Sequence, residues 1–240
     1  MKKNTNKEKQ QEKKLHKSNK VDPVIWFRRI IVYTFGLFIL ALGVAFSIQS
    51  KLGVSPVSSL PYALSIVSNK DVGLMTTIVF STYVLIQVII LRRKFPLKHL
   101  FQVLIASLFG YFVSLSMTIV GSFNPISYIA RFSFLGISLV LIAVGIIFYL
   151  TADLIPMPAE GLILAVNKVT RIPFGKGKII FDVTSVSLAA LLLIIFNGEI
   201  VGLREGTLIA ALGVGKLIGV FSKWIKSPLS KFCMVEPKVR

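Results

Sequence analysis

Cysteine occurs once and histidine twice among 240 residues, and only ten acidic side chains stand against 28 lysines and arginines. The lone Cys233 excludes an intrachain disulfide and any multi-cysteine metal site. His16 and His99 are too few for a histidine metal triad. The chain has no H-E-x-x-H helix and no G-x-S-x-G elbow. The run Gly175, Lys176, Gly177, Lys178 lacks the upstream glycine spacing and the following Ser or Thr of a phosphate-binding loop. The expectation is therefore no enzyme, no catalytic residue, no metal and no cofactor; ATP-driven or hydrolytic work would require another subunit.

What the chain has in abundance is apolar side chains, 54% of residues, with a mean hydropathy of +0.77 and a net charge of +18. Such a charge could mark a nucleic-acid binder, but its distribution points elsewhere. Eight of the first twenty residues are lysine, mixed with Gln, Asn and Glu. This segment cannot repay its ordering entropy and reads as a disordered basic tail over residues 1–22, attracted to anionic lipid. With no basic stripe and interleaved stacking aromatics, no nucleic-acid partner is expected. The apolar stretch that follows is too long for a cleavable signal peptide and reads as an anchor.

Six apolar blocks are long enough to cross roughly 30 Å of hydrocarbon: 26–50, 73–91, 97–120, 132–152, 179–196 and 207–221. Two shorter apolar helices, 56–68 and 158–169, each open on a proline suited to the first helical position and extend only about 20 Å. Sliding the chain by 102 residues pairs Gly43 with Gly145, Phe46 with Phe148, Leu52 with Leu154, Pro56 with Pro158, Leu60 with Leu162, Ala63 with Ala165, Val67 with Val169, Gly73 with Gly175 and Ile78 with Ile180. The chain thus reads as an all-α polytopic membrane protein of six transmembrane helices plus two short re-entrant or interfacial helices. Repeat one covers 23–125, repeat two 126–226 and a cytosolic C-terminal tail 227–240.

Charge counting chooses the topology. If the short helices re-enter, the loops divide eight to four: Arg92, Arg93, Lys94, Lys98, Lys168, Arg171, Lys176 and Lys178 inside, Lys51, Lys70, Arg131 and Arg204 outside. If they span, the division is six to six. The first arrangement obeys the positive-inside rule. It makes three crossings per repeat, hence an inverted 3+3 repeat, with both termini cytoplasmic in a bacterial plasma membrane. Trp26 and Trp224 fit as interfacial anchors.

In such an arrangement, the N-termini of both short helices point toward the bilayer interior and create a site for a polar or anionic group. The candidate substrate-binding residues are Ser55, Pro56, Ser58, Pro158, Glu160, Asp182 and Lys216. Glu160 is either a first-turn cap or a proton or cation site at membrane depth. Asp182 lies four residues after Lys178, which explains it as a helical ion pair or as a functional charge. Lys216, flanked by Gly213, Gly215 and Gly219, either snorkels to headgroups or pairs with Glu160 or Asp182.

The stretches LGVAFSIQSKLGVSP (42–56), VGIIFYLTADLIPMPAEGL (144–162) and GLREGT (202–207) together resemble the YczE/YyaS/YitT-like family of small bacterial membrane proteins over about residues 30–225. Members show Gly-x-x-Pro followed by an acid in both halves and Gly-x-Gly-Thr entering the last helix. This chain departs in having Ser58 in place of the first acid, Glu160 in place of Asp, and only the final Gly-Thr of the last motif. The resemblance implies location and fold and no enzyme. The functional expectation is a small secondary transporter or permease for a small polar or anionic solute. The alternatives are a non-autonomous subunit such as the substrate-binding component of an energy-coupling-factor-type importer, and a lipid-interacting regulator. Expected partners are the lipid bilayer, a small-molecule solute, and a second copy or partner subunit, for which Ala41 and Ala45 offer a small-residue face.

Overall fold

The computed structural model describes residues 23–234, so the basic tail expected over 1–22 lies outside the described residues. Eight helices follow one another: α1 (Pro23–Gln49), α2 (Pro56–Ser68), α3 (Val72–Leu91), α4 (Phe101–Val120), α5 (Tyr128–Thr151), α6 (Pro158–Thr170), α7 (Phe174–Asn197) and α8 (Glu205–Cys233). Two short 3₁₀ turns, Arg92–Lys94 and Leu97–Leu100, link α3 to α4. Six of the helices, all but α2 and α6, are long and apolar enough to cross a membrane, as the hydropathy blocks require. Among the described residues there is no strand.

Local chemistry explains the boundaries. Pro56 and Pro158 open the short helices, where a missing N–H costs no intrahelical bond. The Asp71 carboxylate accepts from Leu74 N–H at 2.9 Å to start α3, and Ser127 Oγ accepts from Ala130 N–H at 3.1 Å to start α5. Two long helices run furthest past their apolar blocks. α7 starts at Phe174 because Lys176 and Lys178 lower hydropathy without opposing a helix. α8 continues through Lys223, Lys226 and Pro228 to Cys233, so the segment read as a tail from 227 begins as helix.

α1 and α5 form the central seam and run antiparallel, since Gly36 meets Phe148, Leu40 meets Gly145 and Gly43 meets Ile142. A Cβ on Gly145 would sit 2.6 Å from the Leu40 amide nitrogen, and one on Gly43 2.8 Å from that of Ile142. Parallel partners flank this seam. α4 lies beside α1, where Phe38 and Phe112 are 5.5 Å apart and the Gln49 amide donates to the Gly121 carbonyl at 2.8 Å. α8 lies beside α5, where Tyr128 OH donates to Glu205 at 3.0 Å. α3 and α4 pack as a tight hairpin through Gly73 and Gly110. α2 rests on α7 through Ala63, Ala189 and Leu193, and α6 rests on α3. α7 and α8, by contrast, share no extensive seam and are the least buried of the long helices. The N-terminal turn of α1 meets the end of α8, where Arg29 Nε donates to the Cys233 carbonyl at 3.2 Å and the Arg28 guanidinium lies 5.3 Å from the Phe232 ring centre.

Boundaries recur at a constant interval. α1 and α5 end at Gln49 and Thr151, α2 and α6 run Pro56–Ser68 and Pro158–Thr170, and α3 and α7 begin at Val72 and Phe174, each pair 102 residues apart. Lys51 and Asp153 (φ 55° and 48°), like Asn69 and Arg171 (φ 52° and 60°), are left-handed at the same interval. The non-helical segments before the short helices find polar partners, which buried backbone must do. Ser47 Oγ donates to the Gly53 carbonyl at 3.0 Å, Val54 N–H to Gly202 O at 3.1 Å, and Gly206 N–H to Leu52 O at 2.8 Å. Across the second break, Tyr33 OH donates to the Ile155 carbonyl at 2.9 Å.

Candidate functional site

A cavity of about 270 Å³ lies where both short helices begin. Its walls are largely apolar, built from Leu40, Phe80, Phe109, Ile142, Ile146 and Val214. Its polar groups are Ser55, Ser58, Tyr149, Glu160, Lys178 and Asp182. Five helices of the apolar wall come from both halves of the chain, so the cavity sits on the junction between them.

α2 brings its N-terminus to this cavity through Ser55, Pro56 and Ser58, and α6 does so through Met157, Ala159 and Glu160. Each helix start carries a partial positive charge from its unpaired N–H groups, about half an elementary charge per terminus. The two ends are dressed differently. At α6, Glu160 occupies the first turn, its Oε1 accepting from Tyr149 OH at 2.9 Å while its Oε2 is buried without a hydrogen-bond partner. At α2 the corresponding residue is Ser58, which accepts from Ser55 Oγ at 3.1 Å, and no side chain caps the helix. Across the cavity, Lys178 Nζ and Asp182 Oδ1 form an ion pair of 2.5 Å within the first turns of α7.

Of the residues singled out from the sequence, Ser55, Pro56, Ser58, Glu160 and Asp182 line this one cavity. Pro158 is buried beside it and turns its carbonyl to Gln87 Nε2 at 3.1 Å. Lys216 is exposed and outside the cavity, although its neighbour Gly215 lines it. One residue is a 100° rotation around a helix, enough to carry Lys216 off the inner face. Asp182 therefore finds its cation in Lys178.

Sequence reasoning passed over Tyr149, Gln87 and Gln102. Gln87 and Gln102 are fully buried, and Gln87 Nε2 donates to Gln102 Oε1 at 2.9 Å. They press on α6 at Gly161, where a Cβ would lie 2.6 Å from Gln102 Nε2 and 2.8 Å from Gln87 Oε1. This pair braces the start of α6, and with it Glu160, against α3 and α4. The available signal was the rarity of amides inside spanning blocks, here two glutamines near adjoining ends of one hairpin.

Comparison with known proteins places the chain. A family model described as a family of unknown function, DUF6198, matches residues 27–223. The chain belongs to that family. It is 33% identical over 198 residues to the uncharacterized protein YyaS of Bacillus subtilis (strain 168), covering 80% of this chain and 92% of the relative. It is also 25% identical over 195 residues to an uncharacterized protein of Haemophilus influenzae, covering 81% of this chain and 84% of that one. No solved structure matches. The DUF6198 match spans all six long helices nearly in full, ending within α8, and the YyaS relationship agrees with the resemblance drawn from the motifs of the two helix breaks.

Proposed function

We propose that this DUF6198 protein is a small secondary transporter that carries a small polar or anionic solute through the central cavity by rocking its two halves against each other. The observation that carries this reading is the convergence of two interrupted-helix N-termini and a buried carboxylate on one cavity between those halves. Groups of this kind are costly in an apolar setting and are retained where a ligand or ion uses them.

The inverted repeat is part of the proposal. The 102-residue spacing of helix ends and left-handed residues supports it. So does the packing: contact of Leu40 with Gly145 mirrors that of Gly43 with Ile142 at the same spacing, and the parallel pairs α1–α4 and α5–α8 correspond. An antiparallel α1 and α5 supports non-spanning short helices. With α3 and α4 alone crossing between them α5 runs opposite to α1, whereas a spanning α2 would make the two parallel. With the basic loops on the cytosolic side, both ends of the described chain face the cytosol of a bacterial plasma membrane.

Purified protein reconstituted alone into liposomes tests the function by counterflow of labelled small carboxylates and zwitterions. Flux above that of empty liposomes, lowered at least about tenfold by Glu160→Gln, is the expected result, because that change removes the charge and keeps the shape. A panel with no flux, together with copurification of an ATPase module, would instead favour the importer-subunit reading.

A further inference from the structure

Two polar groups at the cavity lack partners, and they are of opposite kind. Glu160 Oε2 is a buried acceptor with no donor. At α2 the unmet group is a donor: Pro56 has no N–H to offer, Ser58 N–H donates to the Ser55 carbonyl at 2.9 Å, and Ser55 makes no side-chain cap, which leaves the Val57 N–H, at the cavity wall, without an intrahelical acceptor. The equivalent place on α6, 102 residues on, is filled by the Glu160 carboxylate. The second half thus carries in its own chain an anion that the first half lacks. Lys178 and Asp182 neutralise each other. The remaining charges are the carboxylate and the two positive helix ends of about half a charge each, which sum to about zero.

A site that is neutral overall but has separated poles suits a ligand with both charges. A bare anion at α2 would leave the Glu160 carboxylate without a cation, and a bare amine at Glu160 would leave the α2 turn without an acceptor. The volume sets the size: about 270 Å³ is on the order of nine times the space of a liquid water molecule, hence a ligand of about ten non-hydrogen atoms. The wall of Leu40, Phe80, Phe109, Ile142 and Val214 calls for an apolar substituent. We infer that the cavity binds a zwitterion bearing one apolar side chain, the class of an α-amino acid such as leucine, with its carboxylate at the first turn of α2 and its ammonium on Glu160. This names the solute class of the proposed transporter and rests on that reading, so binding and flux are measured separately.

The experiment is equilibrium binding of labelled leucine to the full-length protein in nanodiscs, with isocaproate (no ammonium), isoamylamine (no carboxylate) and glycine (no apolar group) as competitors. Each should compete at least about tenfold more weakly than leucine, the scale expected when a buried polar group is left unpaired. Glu160→Gln should weaken leucine at least about tenfold while sparing isocaproate. Ser58→Asp, which gives α2 the acid that α6 already has, should abolish leucine and isocaproate binding and spare isoamylamine. Single-headed analogues competing as well as leucine, or no saturable binding of leucine or phenylalanine by the unaltered protein, would overturn the inference. Leucine binding without flux would instead overturn the transport reading and leave the ligand assignment standing, and flux confined to solutes with one charge would do the reverse.

Discussion

At Gly161 a single hydrogen separates α6 from the two buried glutamine amides. Gly161→Ala drives a methyl group against Gln102 Nε2 and Gln87 Oε1, and a side-chain swing is blocked because both glutamines are fully enclosed. The expected cost is about 1–3 kcal/mol, read as a lower midpoint of thermal unfolding in detergent micelles. Combining it with Gln102→Ala frees space and should recover part of the loss, a coupling that two independent sites would not show. Tyr33→Phe tests a different residue-scale contact. It leaves the Ile155 carbonyl without its donor, at about 1–3 kcal/mol if no water replaces it, and amide exchange should quicken in the break before α6. Side chains of this kind were the least legible in the sequence. Tyr33, Tyr149 and Gln87 gain their meaning from partners 122, 11 and 71 residues away, which hydropathy and periodicity do not connect.

At the scale of the helix, most of the fold was readable. Six apolar blocks became six long helices, and the prolines at 56 and 158 marked the starts of both short ones. A missing N–H at the first position and a fixed φ are local requirements, so a local pattern reveals them. What misled was the use of hydropathy to set ends: lysines at the start of α7 and along the last turns of α8 are good helix formers and poor hydrophobes, and both helices run past their apolar blocks. Lys216 lies off the cavity for the complementary reason: hydropathy gives depth along a helix and not direction around it, and its exposure is compatible with the snorkelling alternative. The glycines sort by the same criterion. Gly145→Leu forces α1 and α5 apart and should abolish a monodisperse, folded product on size-exclusion chromatography. A Cβ on Gly215 meets no heavy atom within 4 Å and the position is exposed, so Gly215→Leu should fold with unchanged elution while its added side chain narrows the cavity edge and lowers binding of the proposed ligand.

For the whole molecule the deciding quantity is the number of crossings. Single cysteines at Asn69, His99, Ser122 and Thr170 report it in intact cells through an impermeant maleimide. The expected outcome is labelling at Asn69 and Ser122 and none at His99 and Thr170. Labelling at His99 would mean that α2 spans, and the inverted arrangement would be lost. Cys233 is fully buried at the end of α8, so it should stay silent and Cys233→Ser should give the same pattern.

The lack of an extensive seam between α7 and α8 has a material consequence. Where α3 and α4 close on each other through Gly73 and Gly110, α7 and α8 leave exposed Ile179, Ala211 and Gly215 at the edge of the cavity. On the transporter reading proposed above, that edge would face acyl chains in a bilayer, and lipid would form the last wall of the chamber. Affinity for the proposed zwitterionic ligand would then be a property of the mixture, and it should change when the same preparation is moved from saturated to branched-chain phospholipid with no alteration of the polypeptide.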